Sequence, residues 1–296
     1  MKDYQLFSDS SCDLPENLIH EHQIQLIPFY VSFDRDKYYK ENIDMSNEVF
    51  YDTLTSKNQF ATTSLPSVQD YINIFRPTLK DGYDIICLCL SQKFSGSYQS
   101  AINAKQILDE QYTNCTIQII DSIQATAGQG LLLLQMAKMK KSGLQINEVV
   151  ERVNRIKSTS RIMFTLDTLE YLTRGRRIGK VVSLAKEMMG LKPLIQLKDA
   201  ELIPYSNIRG RKKSLNKVYE MMVEYFIESN ENPSSYDFCI VNATTANEAN
   251  ALQKRVEQYL GRDILYPVFQ IGVTIGTYTG PGAIGICFIK KYEKEG

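Results

Sequence analysis

Histidine is almost missing from this chain. His20 and His22, in the stretch LIHEHQIQ, are the only two in 296 residues. Both fall where a helix gives way to a strand, so a Ser-His-Asp constellation or a His-rich metal site built elsewhere has no imidazole to use. A charge bias is missing too. Lys+Arg and Asp+Glu each number 34, whereas a dedicated nucleic-acid binder carries a basic excess, so no nucleic-acid partner is expected. Long apolar runs are also lacking. The most apolar short stretch, GLLLLQMA at 130–137, is far shorter than the roughly 20 residues needed to cross a bilayer. The opening MKDYQLFSDSSCDLP shows no basic segment followed by an apolar one. The expectation is a cytoplasmic protein with no integral membrane segment, its contact with membranes limited to transient touching of a surface. Six cysteines (Cys12, Cys87, Cys89, Cys115, Cys239, Cys287) include no CxxC pair, and all but Cys12 and Cys115 lie in strongly apolar runs. They read as reduced thiols packed as small hydrophobes, with no metal and no cofactor implied.

What is present is ordinary in bulk: 43% hydrophobic and 23% charged residues, enough chain for one or two domains and an internal cavity. Strand-like and helix-like segments alternate through the first half. YQLF (4–7), IQLIPFYVSF (24–33), YDIICLCL (83–90) and CTIQIID (115–121) read as strands. Helices are expected from Pro15 and over about 67–80, 97–111, 125–142 and 147–158. This predicts an α/β fold whose N-terminal domain, residues 1–160, is a three-layer α/β/α unit with a mostly parallel sheet. The second half has more strands per helix: 161–166, 191–197, a hairpin at 198–205, then 236–243, 264–269 and 283–289. With helices at about 211–229 and 246–260, residues 161–296 read as a C-terminal α/β domain with a mixed or antiparallel sheet. No linker, repeat or low-complexity segment marks the boundary.

Three stretches carry chemistry. In LSQKFSGSYQSA (90–101), Ser95-Gly96-Ser97 joins a strand to a helix, where hydroxyls, free backbone N–H groups and the helix dipole converge on an anion. Plain helix capping by Ser95 or Ser97 is the alternative. ATTSLPSVQDY (61–71) is a second hydroxyl-rich turn. If the two lie on neighbouring parallel βα units, Thr63 and Ser95 grip one anionic head from both sides. GTYTGPGAIG (276–285) brings a glycine-bearing turn from the second half, or is an ordinary hairpin. Two basic clusters follow, LTRGRRIGK (172–180) and NIRGRKKS (207–214). The first is not a Walker A loop: it is one residue short, and Val181 stands where Ser or Thr is needed. Both suit a phosphate or an acidic partner, or else a solvated face. A phosphotransferase-type enzyme using the same crevice is the competing reading; Asp9 and Asp121 are its candidate metal carboxylates.

In order and spacing, SDSSCDLP (8–15), TSLPS (63–67), LSQKFSGSYQSA, IIDS (119–122), LEYLTRGRRIGK (169–180), LKPLI (191–195), RGRKKS (209–214) and TGPGAIG (279–285) together resemble the DegV family of bacterial fatty-acid-binding proteins across essentially the whole chain. The resemblance implies a long-chain fatty acid held between two domains. It puts the carboxylate at Thr63 and Ser95, with Gly96 of the same loop and Tyr278 beside them. It implies no catalysis by the binding protein itself, which presents the acid to a separate fatty acid kinase that makes acyl phosphate for phospholipid synthesis. Arg177 and Arg209 fall where the family has arginines near the site or the kinase-facing surface. Three departures stand out. Tyr278 occupies a position where the family often has histidine. Gly175-Arg176-Arg177-Ile178-Gly179 replaces the usual Gly-Gly-Arg-Ile-Ser, and Lys93 and Phe94 stand where small or aliphatic residues are commoner.

Overall fold

The computed structural model describes residues 3–57, 59–187 and 190–295. The first half contains β1 (Tyr4–Asp9), α1 (Glu16–Glu21), β2 (Gln25–Ile27), β3 (Tyr30–Ser32), β4 (Tyr39–Lys40), α2 (Asn47–Ser56), β5 (Thr62–Ser64), α3 (Val68–Lys80), β6 (Asp84–Cys89), α4 (Ser97–Gln111), β7 (Ile117–Asp121), α5 (Thr126–Lys141) and α6 (Ile146–Ile156). The second contains β8 (Arg161–Thr165), α7 (Glu170–Arg174), β9 (Leu191–Lys198), β10 (Glu201–Arg209), α8 (Arg211–Ser229), β11 (Tyr236–Asn242), α9 (Ala246–Leu260), β12 (Phe269–Gln270), α10 (Val273–Thr279) and β13 (Ile284–Lys290).

A fully parallel sheet, ordered β2-β1-β6-β7, forms the centre of the first half. Strand β6 is buried at all six positions, as its unbroken apolar sequence requires of a strand covered on both faces. Its side chains alternate: Ile85, Cys87 and Cys89 join the cluster under α3 and α4, while Ile86 and Leu88 join the one containing α5. Helix α3 starts on a capping box, with Asp70 N–H donating to Ser67 Oγ at 3.1 Å and Ser67 N–H to Asp70 Oδ2 at 2.8 Å. The second half holds a mixed six-stranded sheet, β10-β9-β8-β13-β11-β12, antiparallel except for the β11–β12 pair. Helices α8 and α9 cover one face through Met222, Phe226, Leu252 and Val256 against Ile286 and Phe288. Helix α5 lies against the other face and against the parallel sheet, which explains why every residue from Thr126 to Ala137 is buried. Leu131 to Leu134 each stabilise the joined core by about 1.5–3 kcal/mol. The α/β architecture is thus the one implied by the sequence pattern.

Four local expectations change. The segment 24–33 is not one strand: Pro28, which lacks an N–H, separates β2 in the parallel sheet from β3 in a small antiparallel sheet ordered β4-β3-β5. Helix α2 and that small sheet had no counterpart in the sequence reading. Only Phe269, of the strand expected at 264–269, pairs in β12. Residues 276–279, the start of the turn expected at 276–285, instead belong to helix α10.

Candidate functional site

Between the parallel sheet, the small antiparallel sheet and the six-stranded sheet lies a cavity of about 970 Å³, counting its open mouth. Most of its wall is apolar. Phe29, Leu65, Leu90, Phe94 and Ala125 come from the first half, and Ile162, Phe164, Leu172, Leu197, Leu202, Val241, Ile271, Ile275 and Ile284 from the second. Thr63, Ser95, Arg177 and Tyr278 also line it. Thr63 Oγ1 and Tyr278 Oη are 2.6 Å apart, and the Arg177 guanidinium sits over the Tyr278 ring at 4.9 Å. Arg177 donates to the backbone oxygens of Gly175 (2.7 Å) and Phe94 (3.3 Å), next to Ser95. Among the described residues no carboxylate pairs with it. A half-buried cation without a carboxylate partner, beside three hydroxyls at one end of an apolar chamber, has the chemistry to hold an anion.

Each side chain is delivered differently. Ser95 follows β6 in a tight loop whose Phe94 and Ser95 N–H groups donate to Ser91 O at 2.9 and 3.1 Å. Gly96 is the N-cap of α4; it borders a shallow polar cleft with Arg176, Arg177 and Lys180 rather than the apolar chamber. Thr63 sits on β5, paired across from Val31, and not on a βα loop of the parallel sheet as expected. Tyr278 is on α10, whose first turn is tied down by buried Glu41: Thr274 N–H and Oγ1 donate to the Glu41 carboxylate at 2.8 and 2.7 Å, and Ser10 Oγ at 2.5 Å. At the far end α10 interlocks with α7. A Cβ on Gly175 would collide with the Tyr278 ring, and one on Gly280 (φ +73°) would meet the Tyr171 ring at 2.5 Å. Arg209 ends β10 exposed and away from the chamber wall. The other arginine of that motif, Arg211, holds the TGPG turn instead, donating to Gly282 O at 2.6 Å and pairing with Glu248 at 2.6 Å.

Buried carboxylates surround the site. Asp9 accepts from Leu90 N–H and Ser97 Oγ, each at 2.8 Å, and from Ser11 Oγ and Gln129 Nε2 at 2.7 and 2.9 Å. Burial pushes its carboxyl up while these donors pull it back. Glu41 is likewise raised by burial against three donors. Asp13 differs: both oxygens are buried without a hydrogen-bond partner, Thr126 Oγ1 and the Gly272 N–H lying close but outside bonding geometry. Burial, reinforced by Glu41, holds its carboxyl well above the ordinary range. Asp121 accepts from Gln92 Nε2 and Ile123 N–H, at 2.9 Å each. Both carboxylates that a phosphotransferase would use are therefore occupied by the chain's own donors. Glu41 escaped sequence reasoning because its partner on α10, Thr274, lies 233 residues away, and Asp13 because nothing within SDSSCDLP sets it apart.

Residues 4–291 match the profile of a family described as uncharacterised proteins of the DegV family. A DegV domain-containing protein of Clostridium perfringens is 31% identical over 293 residues, covering 98% of this chain and 98% of that one. Among solved structures, a stearic acid-binding protein from Eubacterium ventriosum has a TM-score of 0.93 at 34% identity, covering 98% of this chain and 99% of that one. A DegV family protein from Thermus thermophilus, described for its fatty acid binding, has a TM-score of 0.87 at 25% identity, with 98% and 100% covered. No described helix is long and apolar enough to cross a membrane.

Proposed function

The chain belongs to the DegV family, and from that premise we propose that it is a fatty-acid carrier: it binds a long-chain fatty acid in the chamber and hands it to a fatty acid kinase without transforming it. One observation carries the reading. The hydroxyls of Thr63 and Tyr278, the Ser95 loop and unpaired Arg177 gather at one end of an otherwise apolar chamber. That is the shape of a carboxylate attached to a hydrocarbon chain. Burying ~15 methylenes at ~0.8 kcal/mol each gives roughly 12 kcal/mol before the costs of association. Each charge-assisted hydrogen bond at the head adds about 1.5–3 kcal/mol. Hydrophobic burial therefore sets affinity, and Thr63, Ser95, Tyr278 and Arg177 set orientation.

Gly96, the N-cap behind Ser95, opens to the neighbouring polar cleft and bears on the head group only through the Ser95 loop, and Arg177 doubles as a cation beside the phosphate that the kinase adds. Exposed Arg209 faces the kinase. The decisive experiment is denaturation of the purified protein, organic extraction and mass spectrometry, paired with displacement of a fluorescent fatty acid. Endogenous fatty acid in stoichiometric amount is expected. A chamber that holds none and also refuses added fatty acid defeats the carrier reading. For the hand-over, Arg209→Ala should bind fatty acid normally yet give about tenfold less acyl phosphate with a reconstituted kinase.

A further inference from the structure

We propose that Asp9 is a positioning residue for the head-group site: it fixes the loop that carries Ser95, an inference that rests on the reading of Ser95 as a carboxylate ligand. Asp9 ends β1 at the carboxyl edge of the parallel sheet, beside the strand whose loop bears Ser95. One of its oxygens, Oδ2, receives hydrogen bonds from both ends of that loop. Leu90 N–H donates where the chain leaves β6, and Ser97 Oγ donates where it enters α4, each at 2.8 Å. Ser97 is fully buried, and with its own O–H given to Asp9 its oxygen accepts from Tyr71 Oη at 2.6 Å. Between these two anchors the chain turns tightly and Ser97 N–H donates to Ser95 Oγ at 3.1 Å.

The second oxygen, Oδ1, fixes Asp9 itself. Ser11 Oγ at 2.7 Å and Gln129 Nε2 at 2.9 Å hold it, and Gln129 also donates to Ser8 Oγ at 3.0 Å. Every contact to Asp9 is a donor, two to each oxygen, so an acceptor-only carboxylate satisfies all four, whereas an amide would turn its NH2 against two of them. A small turn spanned at both ends by one rigid, buried charge has a single register. A shift there moves Ser95 by a fraction of its hydrogen-bond length, enough to lose the bond. Asp9 and Ser97 never touch the chamber; their effect on a ligand runs through Ser95.

The test is a double-mutant cycle read by displacement of a fluorescent long-chain fatty acid, with thermal melts alongside. Ser97→Ala is the working variant, because it cuts one anchor and leaves the Asp9 charge with three donors. It should weaken binding about tenfold, and Asp9→Asn, where it folds, at least as much. Adding Ser97→Ala to Ser95→Ala should weaken binding no further, although it still lowers the melting temperature. A merely structural role lowers stability in both backgrounds without that coupling. Wild-type affinity in folded Ser97→Ala, or losses that add in full to those of Ser95→Ala, overturns the assignment. Failure of the wild-type protein to take up fatty acid overturns the carboxylate reading instead, and is visible before any variant is made.

Discussion

The two walls that meet at the polar end of the chamber are held by buried carboxylates of opposite design. Asp9 holds the Ser95 wall from within the parallel sheet and its helices: its donors come from the turn after β1, the two ends of the Ser95 loop and helix α5. Glu41 holds the Tyr278 wall across the fold, tying the β4 region to α10 through bonds separated by 233 residues. Beside Glu41 lies Asp13, a buried carboxyl whose oxygens have no hydrogen-bond partner among the described residues. The local wall is a fully satisfied network and the long-range wall is a satisfied one with a strained neighbour. Binding surfaces joined from distant segments depend on such anchors, because chain connectivity does not place their side chains.

The largest effect should come from cutting the long-range anchor. Glu41→Ala leaves Thr274 N–H, Thr274 Oγ1 and Ser10 Oγ without their acceptor in a dry interior. At about 1–3 kcal/mol for each orphaned donor, a loss of at least about 3 kcal/mol is expected in urea unfolding. Fatty acid affinity should fall with it, since α10 carries Tyr278. Glu41→Gln keeps an acceptor and should lose less than half as much. Equal stability of wild type and Glu41→Ala would show that the two walls do not differ in how they are held.

Next in size is removal of one hydroxyl from each wall. Thr63→Ala with Ser95→Ala should weaken fatty acid binding by about two orders of magnitude and leave the fold intact. The single variants separate the walls. Thr63→Ala also removes the partner of Tyr278, so it should cost more than Ser95→Ala. Isothermal titration of the four proteins measures this directly, and unchanged affinity in the folded double variant would remove the head group from this end of the chamber.

The contrast between the walls also governs what the sequence disclosed. The parallel sheet, its helices and the Ser95 loop were legible because each rests on neighbours in sequence: an unbroken apolar strand, a hydroxyl-rich junction, a helix start. Thr63 was singled out and placed on the wrong kind of element. Its strand, β5, is three residues long and pairs with β3, and no periodicity survives at that length. Helix α10 was hidden by its composition, VTIGTYT, in which β-branched residues and glycine oppose a helix that tertiary anchors nevertheless impose. Arg209 and Arg211 could not be told apart from sequence, for only the fold shows which one bonds the TGPG turn.

Asp13 offers a pH-dependent way to sharpen the comparison. Its folded-state carboxyl lies well above the unfolded value, so the folded protein holds a proton that the unfolded chain releases. Stability from this group is complete below the unfolded carboxylate range near pH 4 and is lost as pH rises toward the folded value, by up to about 1.4 kcal/mol per pH unit. Asp9 and Glu41, shifted the same way by burial, add to that slope. Asp13→Asn carries no proton to lose. It should match wild type near pH 4, exceed it by at least about 1.4 kcal/mol at pH 8, and flatten the profile between them. An unchanged slope would mean that the partnerless carboxyl is not the source of the penalty.

The smallest effect belongs to Tyr278, where the long-range wall meets the ligand. Its phenol bonds Thr63 and carries the Arg177 guanidinium on its ring, so Tyr278→Phe keeps the stacking and removes one hydrogen bond. A loss of affinity of about threefold to tenfold is expected. The chain's two imidazoles, His20 and His22, sit on and just after α1, outside the chamber. Wild-type binding should therefore stay flat between about pH 6 and 8. Tyr278→His places an imidazole against the head group, which gains a proton, and an attraction for the carboxylate, as pH falls through about 6.5. Its affinity should then be greater at pH 6 than at pH 8, while wild type and Tyr278→Phe remain level. Fluorescent fatty acid displacement across that range reads the difference. A flat Tyr278→His profile would place the carboxylate away from α10 and leave the head group to the Ser95 wall alone.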